Sequence, residues 1–490
     1  MSQYKMLAID LGASSGRGII GRFDGKKLTL EENHRFKNEP GIIAGTFTWD
    51  IMRIYHEIKA SINKCALSDD KDIGSIAIYT WGVDYGLLDK GGRLLANPTH
   101  YRDGRTDDIQ PYAFRTVPKD EIYNITGLQF MNFNTLFQLI SEMRDSPERF
   151  AAADKMLFIP DLLNYFLTGV MSTEYTIAST GAILNAKTRD YAWDLIDRFG
   201  IPRSIFTPIS QPTTEVGPLS KQVLGEVGDI KAKVVHAAAH DTASAVMAVP
   251  AKGDSFVYIS SGTWSLMGTE LKEPIISSDS FKYDFTNEGG INNTIRFLKN
   301  IMGMWLKEES KRQWAREGKE FTHDELSNAA VASKPMQSII NPDDVLFSPP
   351  GDMPGRIREY CKKTGQHVPE NEGEVVRCIF DSIALRYRWT VEHIDEMMGH
   401  KAEFINIVGG GTKETDLCQF CADACARPVY AGPTEATAVG NMASQLIAAD
   451  ELRDLSEARQ MVRDSFDIKE YRPKDTAIWD EGYEKFLRLL

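Results

Sequence analysis

The sequence predicts an α/β protein of two domains, each opened by a β-hairpin, and three observations carry that expectation. With 490 residues, the chain exceeds a single core at roughly 100–200 residues per domain. Near its start, "AIDLGASSGRGIIG" at residues 8–21 reads as an apolar strand, a small-residue turn and a second strand. The same design returns in "SFVYISSGTWSLMG" at residues 255–268, about 250 residues downstream, where an internal duplication would place it. The expected domains are 1–247 and 248–490, with a seam at the polar, glycine-bearing stretch 250–254.

Composition narrows the setting. A hydrophobic content of 42% and a charged content of 26% leave little room for long disorder. The net charge of −13 speaks against nucleic-acid and anionic-membrane partners. A phosphate-bearing ligand would then be drawn in locally, by a metal ion, a helix N-terminus or backbone amides. The opening "MSQYKMLAID" lacks the apolar core of a signal peptide, and no stretch approaches the roughly 20 apolar residues of a membrane span. Six cysteines do not make a disulfide framework in a chain of this length. A cytoplasmic protein with reduced thiols is expected. Cys418, Cys421 and Cys425 share one helix face, continued by Leu417, Phe420 and Ala424. With no fourth ligand nearby, helix packing is the better reading than a metal site. Pairing of Cys361 with Cys378, or of Cys421 with Cys425, is left open by the sequence.

Taken in order, the elements place the chemistry. Residues 16–21 spell G-x-G-x-x-G, yet a dinucleotide fingerprint needs those glycines between a strand and a helix. Here the β-branched Ile19 and Ile20 sit where a helix should begin and the run ends at Asp24-Gly25, so 6–11 and 17–23 look like a hairpin whose tip is 12–16. The chain contains no G-x-x-x-x-G-K-[ST], which excludes a P-loop. Ile51, Ile54, Tyr55, Ile58 and Ile62 follow helical spacing. Residues 76–88 read as strand, turn and strand, with Trp81-Gly82 at the bend. Residues 234–242 are a strand ending in His240-Asp241-Thr242, followed by helix-forming 243–249. Residues 404–412 are a strand that delivers Gly409, Gly410 and Gly411 to a helix start, a junction suited to phosphate.

Asp241 admits two readings that can coexist. One is a helix cap, worth about 1 kcal/mol. The other is a general base, taking a proton from a hydroxyl as that oxygen attacks a phosphoryl group. Asp10 beside the first tip can hold Mg²⁺ through water while tip amides and the Ser14 and Ser15 hydroxyls bind phosphate oxygens; the bland alternative is a turn aspartate. A second hydroxyl-rich tip at 260–263 makes a paired phosphate site coherent.

These paired hairpins, with the strand–Asp–helix and strand–GGG–helix elements, resemble the actin–hexokinase–chaperone ATPase superfamily. Within it the order of motifs is similar to the FGGY carbohydrate kinases. "YRDGR" at 101–105, "FIPDLLNYFLTG" at 158–169 and "GPTEATAVGN" at 432–441 look like that family's signatures. The stretches "IDLGASSGR", "TWGVDYGLLD", "HDTASAV", "SSGTWSLMG", "TNEGG", "LKNIMGMWL" and "CADAC" resemble members acting on L-rhamnulose. They run from residue 9 to residue 425, nearly the whole chain.

The resemblance implies two actin/hexokinase-like (ribonuclease H-like) α/β domains with a cleft between them. It implies transfer of the γ-phosphoryl of ATP, with Mg²⁺, to the C1 hydroxyl of L-rhamnulose, giving L-rhamnulose 1-phosphate and ADP. Asp241 takes the family's base position. Gly82, His240, Asp241, Thr242 and Asn300 fall on ketose-contacting positions. Ala13, Ser14, Ser15, Gly16, Arg17, Thr263 and Gly410 fall on ATP-contacting positions, and Asp10 on the metal side. Glu308 departs from the glutamine the family favours there, and it takes no role. For a 6-deoxy sugar an apolar wall suits the methyl, and Trp81, Phe133 and Trp264 are its candidates, each also a candidate core residue. Gly82 would let the backbone approach the sugar, or is a plain turn glycine. Asn300 precedes the amphipathic run Ile301, Met304 and Trp305, so its bland reading is a helix cap. The partners implied are a small ketose and ATP, with no nucleic acid or membrane, for a monomer or small homo-oligomer. The rival readings are another ketose kinase of the family, of fuculose or xylulose type, and a non-catalytic ATP switch like actins and chaperones.

Overall fold

The computed structural model describes residues 3–253 and 255–490, so Asp254 of the expected seam lies outside the described residues. The chain divides into two compact units, one of Met1–Ala248, Glu270–Phe297 and Ala436–Ser465, the other of Val249–Thr269, Leu298–Glu435 and Phe466–Leu490.

In the first unit six strands lie in the order Thr214–Pro218, Lys233–His236, Ser75–Thr80, Tyr4–Leu11, Ser15–Phe23, Leu28–Lys37. Tyr4–Leu11, Ser75–Thr80 and Lys233–His236 run parallel, and the outer pairings are antiparallel. The sequence "SIAIYT" of the central strand is buried at every position, as a strand covered on both faces must be. The helix Ile51–Ala66 covers one face, and Asp50 caps it by accepting from the Arg53 N–H at 3.0 Å. Its Ile51, Ile54, Ile58 and Ile62 share a core with Leu7, Ile9, Ile76 and Ile78. Each such side chain contributes about 1.5–3 kcal/mol through burial, so Ile58→Ala would loosen the helix from the sheet.

The G-x-G-x-x-G run has a packing origin. A Cβ on Gly16 would sit 2.2 Å from the Phe36 ring, one on Gly18 1.9 Å from Ser61 Oγ, and one on Gly21 2.4 Å from Met442 Sδ. These glycines let a neighbouring strand and two helices close onto the returning strand Ser15–Phe23. No helix follows them.

The other large sheet has seven strands, in the order Thr286–Gly289, Ile295–Ile301, Ser265–Leu271, Phe256–Ser261, Phe404–Val408, Val429–Ala431, Lys469–Tyr471, and the last six repeat the order of the first sheet. Its hairpin is antiparallel, its next two pairings are parallel and its edge is antiparallel. That is the sequence of directions seen in the first unit. The helix Thr415–Cys425 buries Cys418, Cys421 and Cys425 on one side, as their spacing predicts. All six cysteines are buried free thiols. Among the described residues no helix is long and apolar enough to cross a membrane.

Three local expectations need correction. Asn300 lies inside the strand Ile295–Ile301, not at a helix cap; the helix that follows begins at Trp305. Sheet pairing overrides the capping preference there. Asp241 is the first helical residue of Asp241–Met247, and His240 occupies the cap position. The three glycines lead into a 3-10 turn, Gly410–Lys413, and the helix starts only at Thr415.

Candidate active site

In an open α/β sheet, ligands gather beyond the C-terminal ends of the parallel strands. In the first unit those ends deliver three of the sequence-predicted elements to one edge. Leu11 leads into the 12–14 turn, Thr80 into Trp81-Gly82, and the 233–236 strand into His240-Asp241-Thr242. The last two are joined directly, because the Thr80 N–H donates to Ala239 O at 2.9 Å.

The turn itself is closed by the Gly12 N–H donating to Ser15 O at 2.9 Å. Asn38 ties it down by donating to Gly12 O through Nδ2 at 2.9 Å and to Ser14 O through its backbone N–H at 3.1 Å. Ala13 and Ser14 remain exposed. Asp10 and Arg17 are register partners across the hairpin. Arg17 Nε and Nη2 donate to Asp10 Oδ2 at 3.0 and 2.5 Å. Burial raises the Asp10 carboxyl above its ordinary range, with Arg17 opposing and the like charge of Asp241 adding to the rise. A Mg²⁺ ion keeps most of its waters and needs only one or two carboxylates beside substrate phosphates. The turn offers one, Asp10, which is the number of carboxylates such a site needs. Among the described residues no group of three or more His, Cys, Asp and Glu converges to hold a metal alone.

Asp241 accepts from the Thr242 backbone N–H at 2.5 Å and from Thr242 Oγ1 at 3.0 Å, both on Oδ1. Its side chain is 47% exposed, so a carboxylate with a fixed orientation reaches solvent. His240 Nε2 stands 3.3 Å from the same Oδ1. Behind the imidazole, Nδ1 lies 3.2 Å from Arg296 Nη2 and 3.4 Å from Glu288 Oε2. Arg296 is fully buried, donates through Nε to Gly289 O at 2.9 Å, and has Nη2 3.0 Å from Glu288 Oε2. Burial raises the Glu288 carboxyl, but the Arg296 guanidinium and His240 together outweigh it and hold the group below its ordinary range.

Gly82 sits tightly against Thr180: an added Cβ would meet Thr180 Oγ1 at 2.9 Å. The next residue, Val83, has φ +68°, which is strained for a β-branched side chain. Two hydroxyls hold it there, Thr180 Oγ1 accepting from its N–H at 3.0 Å and Thr135 Oγ1 donating to its carbonyl at 2.7 Å. Trp81 packs at a tilt against Trp49 with ring centroids 3.9 Å apart, Trp49 stacks on His100 at 4.1 Å, His100 on Tyr101 at 4.5 Å, and Tyr101 meets Phe133 edge-on at 5.4 Å. Trp81 and Phe133 therefore belong to one aromatic wall. Trp264 lies in the second unit and is exposed.

Sequence reasoning missed the residues that support this edge. Asp84 is buried and accepts from the indoles of Trp49 and Trp81 at 2.7 and 3.0 Å and from Gln138 Nε2 at 3.0 Å. Burial pushes its carboxyl up to about 6 against those bonds. Glu174, also buried and raised to about 7 chiefly by burial, accepts from the N–H groups of Thr176, Ile177 and Ala239. Asp84, Glu288 and Arg296 reach their partners across long stretches of chain or between strands. The motifs "WGVDYG" and "TNEGG" were the available signals, and neither shows what its carboxylate touches.

In the second unit the corresponding edge carries the 262–264 tip and the glycine turn. Gly262, Thr263 and Trp264 are exposed, and the Thr263 carbonyl accepts from the Trp305 N–H at 2.9 Å. A Cβ on Gly409 would meet Ser261 O at 2.9 Å and one on Gly411 would meet Ser261 Oγ at 2.0 Å, whereas Gly410 faces open space. Two glycines thus press the turn against the hairpin, and the middle one presents bare backbone. Asn300 is half-buried at the end of its strand. Glu308 has Oε1 3.6 Å from His323 Nδ1.

Comparison with known proteins agrees with this layout. The N-terminal domain pattern of the FGGY family of carbohydrate kinases matches residues 5–248, and its C-terminal domain pattern matches residues 257–449. A rhamnulokinase from Bacteroides thetaiotaomicron is 44% identical over 484 residues, 99% of each chain. One from Oceanobacillus iheyensis is 41% identical, covering 95% of this chain and 97% of its own. A gluconate kinase from Lactobacillus acidophilus superposes with a TM-score of 0.82 at 18% identity, over 100% of this chain and 98% of that one. The architecture is that of two actin/hexokinase-like α/β domains. On these grounds the chain belongs to the FGGY family of carbohydrate kinases and is an enzyme of that class.

Proposed function

We propose that this kinase transfers the γ-phosphoryl group of ATP to the C1 hydroxyl of L-rhamnulose, yielding L-rhamnulose 1-phosphate and ADP in L-rhamnose catabolism. The observation that carries the reading is the likeness, over almost the full length, to two proteins named rhamnulokinase. The geometry of the first unit supports it. Asp241 is a solvent-reaching carboxylate whose orientation Thr242 fixes, which suits a general base for a substrate hydroxyl.

On this reading Asp241 takes the O1 proton as O1 bonds to the γ-phosphorus and the bond from that phosphorus to the ADP oxygen breaks. Gly82, His240, Thr242 and Asn300 orient the ketose. Ala13, Ser14, Ser15, Gly16 and Arg17 of the first hairpin, with Thr263 and Gly410, contact ATP through amides and hydroxyls that offset developing charge. Asp10 would hold Mg²⁺, which would supply positive charge to offset that of the phosphates. The aromatic wall of Trp81, Tyr101 and Phe133 offers apolar surface for the methyl of a 6-deoxy sugar. We place the enzyme in the cytoplasm, as a monomer or small homo-oligomer.

The test is ADP release measured across L-rhamnulose, L-fuculose, D-xylulose and no sugar. The highest kcat/KM is expected with L-rhamnulose. A higher value with another ketose would move the chain to a different branch of the family, and ADP release indifferent to ketose would favour an ATP switch.

A further inference from the structure

The contacts behind His240 define its protonation. An arginine side chain carries donors only. Arg296 Nη2, 3.2 Å from His240 Nδ1, therefore meets a lone pair on that nitrogen, and the proton of a neutral imidazole sits on Nε2. That nitrogen is the one 3.3 Å from Asp241 Oδ1. Arg296 is completely buried, and the buried carboxylate of Glu288 stands 3.0 Å from Nη2. The arrangement is lopsided, because Glu288 Oε2 also lies 3.4 Å from His240 Nδ1. A carboxylate there would attract a proton onto Nδ1, and the guanidinium beside it opposes that.

We infer that Arg296, with Glu288 as its counter-charge, is a positioning residue that locks His240 as the neutral tautomer with hydrogen on Nε2. The imidazole then directs an N–H toward Asp241 and the sugar, and the proton released from the substrate goes to Asp241 and not to His240. The last clause rests on the proposed role of Asp241; the tautomer does not.

Other charges around His240 are accounted for. Asp241 shares its helix, Glu288 comes from the strand Thr286–Gly289, and Arg296 from Ile295–Ile301. Glu174 reaches the backbone before it, accepting from the Ala239 N–H at 3.3 Å, and Thr176 Oγ1 accepts from the His240 N–H at 3.3 Å. Asp10 interacts electrostatically with Asp241 and carries its own cation, Arg17. Of these groups, only Arg296 opposes a proton on Nδ1 from within contact distance.

The experiment is ¹⁵N NMR of histidine-labelled full-length enzyme without substrate, with the His240 signals assigned by their absence in His240→Asn. In the wild type, Nδ1 should show the shift of an unprotonated nitrogen and Nε2 that of a protonated one at pH 8. In Arg296→Gln, Glu288 Oε2 and His240 Nδ1 are left facing each other, so hydrogen should move onto Nδ1 and the two nitrogen shifts should exchange character. In the double variant Glu288→Gln/Arg296→Gln, which removes both charges, the nitrogen shifts should return toward wild type. Glu288→Gln alone should keep the Nε2–H tautomer, so it carries the test should Arg296→Gln misfold. A hydrogen on Nδ1 in the wild type, unchanged nitrogen shifts in folded Arg296→Gln, or a hydrogen on Nδ1 in Glu288→Gln would overturn the inference. Full turnover in Asp241→Asn would instead overturn the base assignment and leave the tautomer result standing.

Discussion

The first hairpin sets Asp10 across from Arg17, while at the equivalent step of the second hairpin Ser260 faces Leu266. Six strands follow the same order in both sheets, the second adding Thr286–Gly289 at its edge, so the difference at the hairpins lies in chemistry and not in scaffold. Behind the first tip stands an ion pair, and near it the Asp241, His240, Glu288 and Arg296 group. Behind the second tip stand neutral hydroxyls, with Ser265 Oγ and Tyr387 OH 2.6 Å apart and Ser261 packed under the glycine turn. A duplicated strand–turn–strand can serve phosphate in two ways. One uses a carboxylate that holds a cation, and the other uses uncharged amides and hydroxyls that approach the oxygens directly. On the proposed reading, proton transfer and cation binding fall to the first unit.

The largest effect should come from Asp241→Asn. Loss of a positioned general base should lower kcat by about 10²–10⁴-fold, with circular dichroism and ATP affinity little changed. A variant retaining turnover within a few-fold of wild type would break the assignment of chemistry to the first unit.

Asp10→Asn should act next most strongly, and on a different quantity. The apparent affinity for Mg²⁺ should weaken by about 10–100-fold, while Ser260→Ala at the equivalent position of the second hairpin should leave it unmoved. The pH dependence has a definite sign. The folded-state Asp10 carboxyl is raised above its ordinary range, first by burial. The carboxylate form is therefore lost on acidification at a higher pH than an ordinary aspartate would lose it. The Mg²⁺ requirement of the wild type should rise as pH falls through that raised value, and this rise should vanish in Asp10→Asn. Equal Mg²⁺ titrations for the two enzymes would remove the cation from the first hairpin.

How much of this was legible in the sequence follows from the range of the interactions. The two hairpins, the Asp241 helix and the glycine turn are local patterns, set by turn chemistry and apolar periodicity within a short window. Those patterns also disposed of the G-x-G-x-x-G run, because residues 17–23 read as strand; Phe36, Ser61 and Met442 then supply the reason for its glycines. Boundaries were less legible. His240 and not Asp241 holds the cap position, a shift of one residue within the normal spread of helix ends. Asn300 has the residue type and neighbours of a cap, and only pairing with a distant strand shows it to be in a sheet. Asp84 was invisible for the same reason. Its partners Trp49 and Gln138 lie 35 and 54 residues away, and no spacing rule links an indole to a carboxylate over that distance.

The smallest effects sharpen the second half of the comparison, and they come from adjacent glycines. Gly411→Ala places a methyl 2.0 Å from Ser261 Oγ and 2.5 Å from its Cβ. Rotating the hydroxyl does not relieve the second contact, so the turn must lift from the hairpin at a cost of about 1–3 kcal/mol. Gly410→Ala meets nothing within 4 Å and has no left-handed φ to lose. Its added methyl should leave the stability unchanged, or raise it through a less flexible unfolded chain by about 0.4–1 kcal/mol, read as an equal or slightly higher melting temperature. If bare backbone at Gly410 is where the nucleotide lies, that same methyl should raise KM for ATP several-fold at unchanged stability and unchanged KM for the ketose. An ATP KM unaffected in Gly410→Ala would mean the turn serves only to buttress the hairpin, as Gly409 and Gly411 do.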